Sequence, residues 1–154
     1  MSSDNRQWVN PNLPRAGNDP AKARALLAEI GLQDRTGTGV LTDAAGTPVE
    51  FTLVSNVEDG ARGKAAAMIR DDLQRIGIRV QVELLNFGLL VQKTSATFDY
   101  EAALMGFGGG SAEPASQFVL LKSGEALHQW HPNQSAPATE WEARIDALMD
   151  AQMR

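Results

Sequence analysis

The chain has 154 residues, of which 43% are hydrophobic and 21% are charged, a balance typical of a soluble globular domain. The formal net charge is −5 and no basic block is present, which argues against a nucleic-acid or anionic membrane partner. Cysteine is absent, so disulfides, zinc–thiolate sites, iron–sulfur clusters and thiol catalysis are excluded. The first ten residues lack the basic start and apolar core of a signal peptide. We therefore expect either a cytosolic protein or a piece of a larger one.

The first predicted element is a helix over residues 18–32. Asp19 is a good N-cap, Pro20 suits the first turn, and Gly31 supplies the stop. Residues 1–18 lack apolar periodicity and are expected to form an extended lead-in or linker. The side chains predicted to form the apolar stripe of this helix are Ala23, Leu26, Leu27 and Ile30.

A second helix is predicted over residues 59–78, ending at Gly77. Its charged residues lie on the face opposite the apolar one, which indicates a solvated surface. The side chains expected to face inward are Ala65, Ile69, Leu73 and Ile76, with Met68 beside them.

Three strands are predicted around this helix. Phe51 and Leu53 alternate with polar residues in the first strand. In residues 78–85 apolar and polar side chains alternate strictly, which favours a strand near a sheet edge with one face exposed to solvent. A short helix is predicted after it, near Leu89. Residues 100–107 are apolar nearly throughout, as expected for a strand that is covered on both faces.

The last third of the chain predicts a helix near Ala115 to Leu121, an irregular segment, and a terminal helix that begins at Glu140. His128 and His131 are spaced by three residues, but the surrounding Pro, Asn and Ser favour a loop rather than a helix. Because no third metal ligand is near in the sequence, no metal site is expected. The stripe predicted to be buried in the terminal helix is Trp141, Ile145, Leu148 and Met149.

The order strand, helix, strand, helix, strand predicts an open, mostly parallel α/β sheet with right-handed crossovers and helices on both faces. Ligands of such sheets bind at the carboxyl ends of the strands. The candidate loops therefore follow Leu53, Leu85 and Met105.

The third loop lies in "ALMGFGGGSAEP", residues 103–114. A dinucleotide fingerprint fails because position 111 is Ser, and a P-loop fails because Gly63-Lys64 is followed by Ala. The glycines would let a ligand approach the main chain, with Phe107 as an aromatic wall. The alternative is a flexible turn with Phe107 in the core. Because no nucleophile with a base and no acid–base pair is recognisable, no enzyme is predicted and no cofactor is expected.

Four segments in order carry a family resemblance: "DPAKARALLAEIGL", "GVLTDAAGTPVEFTLVSN", "AAAMIRDDLQRIGIRVQVELLNFGLLVQK" and "FDYEAALMGFGGGSAEP". From Asn12 to the end, the chain resembles the C-terminal lobe of family 5 extracellular solute-binding proteins, the dipeptide, oligopeptide and nickel receptors of ABC importers. The resemblance implies one lobe of a type II periplasmic binding protein. Residues 19–154 would then form a single α/β lobe of a larger two-lobed protein.

The resemblance also implies the biological setting. Such a protein is exported, to the periplasm or the cell surface, and is not an enzyme. Its partners would be a peptide or other small-molecule ligand, the first lobe of the same protein, and ABC permease subunits. The alternative from another class is a free-standing cytosolic α/β regulatory or protein-interaction domain, which would use the glycine-rich segment only as a turn.

Site residues follow from the same resemblance. The loop after the third strand faces the cleft in this family, which implies that Phe107, Gly108, Gly109, Gly110 and Ser111 contact the ligand. Peptide-binding members carry an aspartate for the ligand's amino group, but Gly110 stands at or near that position, and Glu113 would have to substitute from a shifted position. The resemblance therefore gives no firm carboxylate anchor. The residues implied after the second strand are Asn86 and Phe87.

Overall fold

The computed structural model describes residues 10, 12–14, 17–106 and 114–153. The chain divides into two compact units: the sheet unit, Arg15–Met105, and the C-terminal unit, Met1–Pro14 with Gly106–Arg154. The elements of the sheet unit are, in chain order, α1 (Pro20–Glu29), β1 (Glu50–Asn56), α2 (Gly60–Arg75), β2 (Arg79–Leu85), α3 (Phe87–Gln92), a π-helical turn (Lys93–Thr97) and β3 (Ala102–Leu104).

The strands form a parallel sheet in the order β2-β1-β3. Asn56 at the end of β1 pairs with Leu85 at the end of β2, and Ser55 pairs with Leu104 at the end of β3. The three carboxyl ends therefore lie at one edge. The predicted α/β class and the parallel arrangement of the strands are confirmed.

Neighbouring residues of β1 belong to two different hydrophobic cores. Leu53 packs with Ala66 of α2 on one face, and Val54 packs with Leu85 and Leu90 of α3 on the other. Successive side chains of a strand point to opposite faces, so each helix covers its own face of the sheet. The expectation of helices on both faces is confirmed.

The burial predicted for the outer strands is partly wrong. β2 lies at an edge of the described sheet, as expected, but Leu84 is exposed, and Leu85, which points to the opposite face, is buried with Val54. β3 is covered on both faces, as expected, because Ala102 and Leu104 pack against the core that contains Leu53 and Ala103 packs against the core that contains Val54. Its residues are nevertheless half-buried, and it forms the opposite edge of the described sheet. β1 occupies the centre instead, because both other strands pair with it.

Helix ends are predicted better than helix faces. Asp19 caps α1, since its carboxylate accepts a hydrogen bond from the backbone N of Lys22 at 2.9 Å, and Gly31 follows with a φ of 89°. However, α1, all of which is described, has no buried residue, and Leu26 and Ile30 are exposed. Periodicity shows which residues share a face, but not whether another element covers that face.

In α2 the buried residue is Ala66, which packs with Leu53 of β1 and Val80 of β2. Leu73 packs against this core as predicted, but Ile69 and the neighbouring Met68 are exposed, so the buried face is only partly the predicted one. A small residue at this position lets the helix lie close to β1 and β2.

The C-terminal unit contains a 3₁₀ turn (Pro114–Gln117), α4 (Phe118–Leu121) and α5 (Glu140–Gln152). Thr139 and Glu142 form a capping box at the start of α5. Met149 is buried as predicted, but Trp141 and Leu148 are exposed, and the polar Glu142 takes a place in the buried face. None of the helices in the described ranges is long and apolar enough to cross a membrane.

Candidate ligand-binding site

The carboxyl edge of the sheet is formed where β1, β2 and β3 end. After β1 the chain continues through Val57 and Glu58, and after β2 it continues through Asn86 and Phe87. The backbone N of Val57 donates to the carbonyl of Leu85 at 2.8 Å, which holds these two loops side by side. This edge is where an open parallel sheet accepts ligands.

The guanidinium of Arg62, in the first turn of α2, is held against the end of β1. Arg62 Nη1 donates to Oδ1 of the buried Asn56 at 3.0 Å, and Arg62 Nε lies 3.3 Å from Asp59 Oδ2. Asp59 also caps α2, since its Oδ1 accepts from the backbone N of Ala61 at 3.0 Å. Arg62 is therefore held in place and its charge is balanced by Asp59.

The end of β2 places both predicted residues of this loop at the surface. Asn86 is the N-cap of α3, because its Oδ1 accepts from the backbone N of Leu89 at 2.9 Å. Phe87 is 54% exposed, and its backbone N donates to Glu58 Oε1 at 3.1 Å. The structure thus brings Glu58 to the loop that holds Asn86 and Phe87. Sequence reasoning missed Glu58, because the contact joins residues 29 positions apart.

The end of β3 is held by a hydrogen bond from Ser55, a fully buried residue of the neighbouring strand β1. Its Oγ donates to the carbonyl of Leu104 at 2.8 Å, and Met105 packs against the core formed by Val54, Leu85 and Leu90. The next loop holds the remaining candidate residues. The ones that lie outside the described residues are Phe107, Gly108, Gly109, Gly110 and Ser111.

Apart from the carboxyl edge, a groove lies on the Val54 face of the sheet, with a volume of about 260 Å³ and with Glu83 and Tyr100 in its lining. Within it, Lys93 Nζ lies 2.8 Å from Asp99 Oδ2. The hydrogen bond with Asp99 raises the pKa of Lys93, and the same bond lowers the pKa of Asp99. The lysine of this groove is therefore already paired.

The C-terminal unit contains a buried polar cluster. Trp130 Nε1 donates to Oε1 of the buried Glu142 at 3.1 Å, and the ring of His128 lies 3.7 Å from that of Trp130. His128 is buried and His131 is exposed, so the two histidines do not share one surface. Among the described residues, no group of three or more His, Asp or Glu side chains could hold a metal ion.

A parallel sheet with helices on both faces and its candidate site at the carboxyl edge has the architecture of type II periplasmic binding proteins. The chain belongs to the bacterial extracellular solute-binding proteins, family 5, because the model for the middle region of that family matches residues 1–128.

Curated relatives are similar at moderate identity. A probable ABC transporter-binding protein of Deinococcus radiodurans is 29% identical over 117 residues, which are 72% of this chain and 20% of the relative. The oligopeptide-binding protein AppA of Bacillus subtilis is 31% identical over 104 residues, which are 65% of this chain and 19% of the relative. The chain thus spans about a fifth of the length of these relatives.

Solved structures agree on the fold. The structure of AppA from Bacillus subtilis in complex with a nonapeptide matches with a TM-score of 0.72 and 27% identity, covering 94% of this chain and 28% of that one. NikA from Brucella suis in complex with Fe(III)-EDTA matches with a TM-score of 0.70 and 20% identity, covering 92% of this chain and 29% of that one. At that identity the second likeness concerns the fold alone.

Proposed function

We propose that this chain is part of one lobe of the substrate-binding component of an ABC importer, and that it captures a peptide-like small solute. The observation that carries the proposal is the family match over residues 1–128 together with the parallel sheet whose carboxyl ends share one edge. The names of the relatives from Deinococcus radiodurans and Bacillus subtilis describe binding proteins of this kind. Residues 19–154 would form a single lobe of a longer protein.

The proposed ligand wall is the carboxyl edge and the loop that follows β3. Phe107 would give stacking or apolar contact, Gly108 to Gly110 would allow close approach of the backbone, and Ser111 would give a hydrogen bond. Asn86 and Phe87 would complete the wall from the loop after β2. The exposed position of Phe87 supports this assignment, because a large apolar side chain at a ligand edge is available to a solute.

The solute would be enclosed between this lobe and the first lobe of the same protein, and binding would shift the equilibrium from open to closed. The closed form would then deliver the solute to ABC permease subunits. The setting would be the periplasm or the outer face of a bacterial membrane. The chain would bind its solute unchanged and would not act as an enzyme.

The test is solute binding by the complete protein, measured by calorimetry with a pool of peptides two to five residues long. Phe107→Ala and Phe87→Ala should each weaken binding by about 1 kcal/mol or more, because each removes an aromatic contact. Trp141→Ala is the control, since Trp141 is as exposed as Phe87 but lies on α5. Equal affinity of all three variants, with stability lost in Phe107→Ala, would instead place Phe107 in the core.

The coding sequence upstream of Met1 separates this proposal from the free-standing cytosolic domain. A first lobe and an export signal there would support the receptor. A start codon at Met1 with neither upstream would contradict it.

A further inference from the structure

We infer that α1 is a flap, Pro20–Glu29, which opens and unfolds without unfolding of the sheet and so uncovers the apolar end of α2. α1 contacts the last turn of α2, just before β2 begins, at the amino edge of the sheet. The inference is independent of the proposed binding at the carboxyl edge, and it adds a conformational change at the opposite edge of the sheet.

α1 is anchored by little buried surface. None of its residues is buried, and Leu26 is 51% exposed. Its least exposed residues, Ala23, Leu27 and Ala28, are only half-buried. By contrast, α2 buries Ala66 completely in the core of the sheet unit. Because the free energy that holds an element in place comes mainly from the apolar surface it buries, α1 is held more weakly than α2.

A single hydrogen bond joins α1 to α2 among the described residues. Arg24 Nη2 donates it to the carbonyl of Arg75, in the last turn of α2. This contact is exposed, so water can replace the guanidinium when α1 moves away, and the net free energy of the bond is small.

Two grooves flank the contact between α1 and α2. The first, of about 260 Å³, has Ala23 of α1 on one side and Leu73 and Ile76 on the other. The second, of about 340 Å³, has Ala28 of α1 on one side and Leu41 and Ile76 on the other. α1 therefore lies over Ile76 with a gap on each side. Its opening would join the two grooves into one apolar surface at the end of α2.

The chain just after α1 is firmly attached to the sheet unit. Gln33 and Thr42 exchange two backbone hydrogen bonds, at 3.1 Å and 2.8 Å, and Arg35 Nη2 donates to the carbonyl of Gly31 at 2.9 Å. The opening therefore stops at Gly31 and does not spread to β1. A free helix of ten residues is too short to be stable in water, so α1 unfolds when it leaves α2.

The test is hydrogen–deuterium exchange of the complete protein, followed by mass spectrometry at several low concentrations of urea. It compares the amides of residues 24–29 in α1 with those of residues 64–75 in α2. The amides of α1 should exchange at least about tenfold faster than those of α2. Urea should accelerate exchange in α2 much more than in α1, because the opening of one short helix exposes little surface.

Two variants test the attachment of the flap. Arg24→Ala removes the hydrogen bond to Arg75 and should speed exchange in α1 about two- to tenfold, while exchange in α2 stays unchanged. Lys22→Ala is the matched control, because Lys22 is an exposed cation of the same helix whose side chain forms no hydrogen bond or ion pair with the described residues. It should exchange like the wild type.

Equal protection of α1 and α2, with the same dependence on urea, would show that α1 opens only together with the sheet and would overturn the inference. An Arg24→Ala protein in which exchange in α2 accelerates as much as in α1 would also overturn it. Neither result bears on whether the complete protein binds a solute.

Discussion

The indole Nε1 of Trp130 donates a hydrogen bond to Glu142 Oε1 at 3.1 Å, and this carboxylate is 3% exposed. Its Oε2 accepts from the backbone N of Ala138 at 2.9 Å and from that of Thr139 at 2.8 Å. The buried side chain of Glu142 in α5 therefore holds the irregular segment that precedes the helix in place through hydrogen bonds. It satisfies backbone N–H groups that would otherwise lack a partner at the start of the helix.

This cluster predicts a loss of stability in acid. Burial raises the pKa of Glu142, but hydrogen bonds from Trp130, Thr139, Ala138 and Gln134 outweigh it and hold the pKa at about 2. A pKa lower in the folded than in the unfolded chain gives stability that is present above about 4.5 and is lost as the pH falls through about 2. Urea unfolding followed by tryptophan fluorescence at several values of pH between 6 and 2 measures this loss.

Two variants separate Glu142 from the other carboxylates. Glu142→Gln should be less stable at pH 6 than the wild type and should lack this part of the pH dependence, because the side chain cannot ionise and its amide N–H faces the Trp130 donor. Glu140→Gln, in the same first turn but exposed, should keep the wild-type dependence. A Glu142→Gln protein as stable as the wild type at pH 6 would refute the argument.

Gly77 after α2 is predicted to tolerate no side chain. Its φ is 93°, and a Cβ there would lie 2.8 Å from Leu41 Cγ and 3.2 Å from the carbonyl of Gly39. Gly77→Ala should cost about 2 to 3 kcal/mol of unfolding free energy, from left-handed strain and from the contact with Leu41. Gly31→Ala, at a φ of 89° with nothing within 4 Å, should cost about 1 kcal/mol, from strain alone. Equal costs in chemical denaturation would show that the contact with Leu41 relaxes freely.

Leu90 is the residue that attaches α3 to the sheet. It is fully buried against Val54 and Leu85, so Leu90→Ala should lower the unfolding free energy by about 2 to 5 kcal/mol through the cavity it leaves. Leu89→Ala, on the more exposed side of the same helix, should cost under about 1 kcal/mol. Urea denaturation of both variants provides the comparison, and a cost at Leu90 no larger than at Leu89 would mean that α3 is not anchored by this contact.

Ser55 should stabilise the pairing of β1 with β3. Ser55→Ala removes the hydrogen bond to the carbonyl of Leu104 and should cost about 1 kcal/mol. Ser95→Ala, at an exposed position of the π-helical turn, should stay within about 0.5 kcal/mol of the wild type. The same urea titration measures both, and a neutral Ser55→Ala would show that the carbonyl of Leu104 finds another donor.

Local signals in the sequence predicted the elements well. Asp19 and Gly31 mark the ends of α1 through contacts within a few residues, and alternation located β2. Burial depends on which helix and sheet faces pack against each other, and the periodicity of one helix does not show this. The prediction that Trp141 and Leu148 belong to the buried stripe of α5 is wrong for that reason. The same limit hid the site contact between Glu58 and Phe87, which exists only because β1 and β2 end side by side. The role of Phe107 to Ser111 stays a prediction.

Leu53 and Val54 follow each other in β1 and yet supply separate cores. A replacement at either position therefore disturbs one of the two cores of the sheet unit and leaves the other intact. Inserting or deleting a single residue within β1 would turn every side chain beyond the change to the opposite face of the sheet, and so into the other core. Evolution should accordingly accept swaps of similar volume along this strand, while changes of length accumulate in connections such as the turn at residues 43–47.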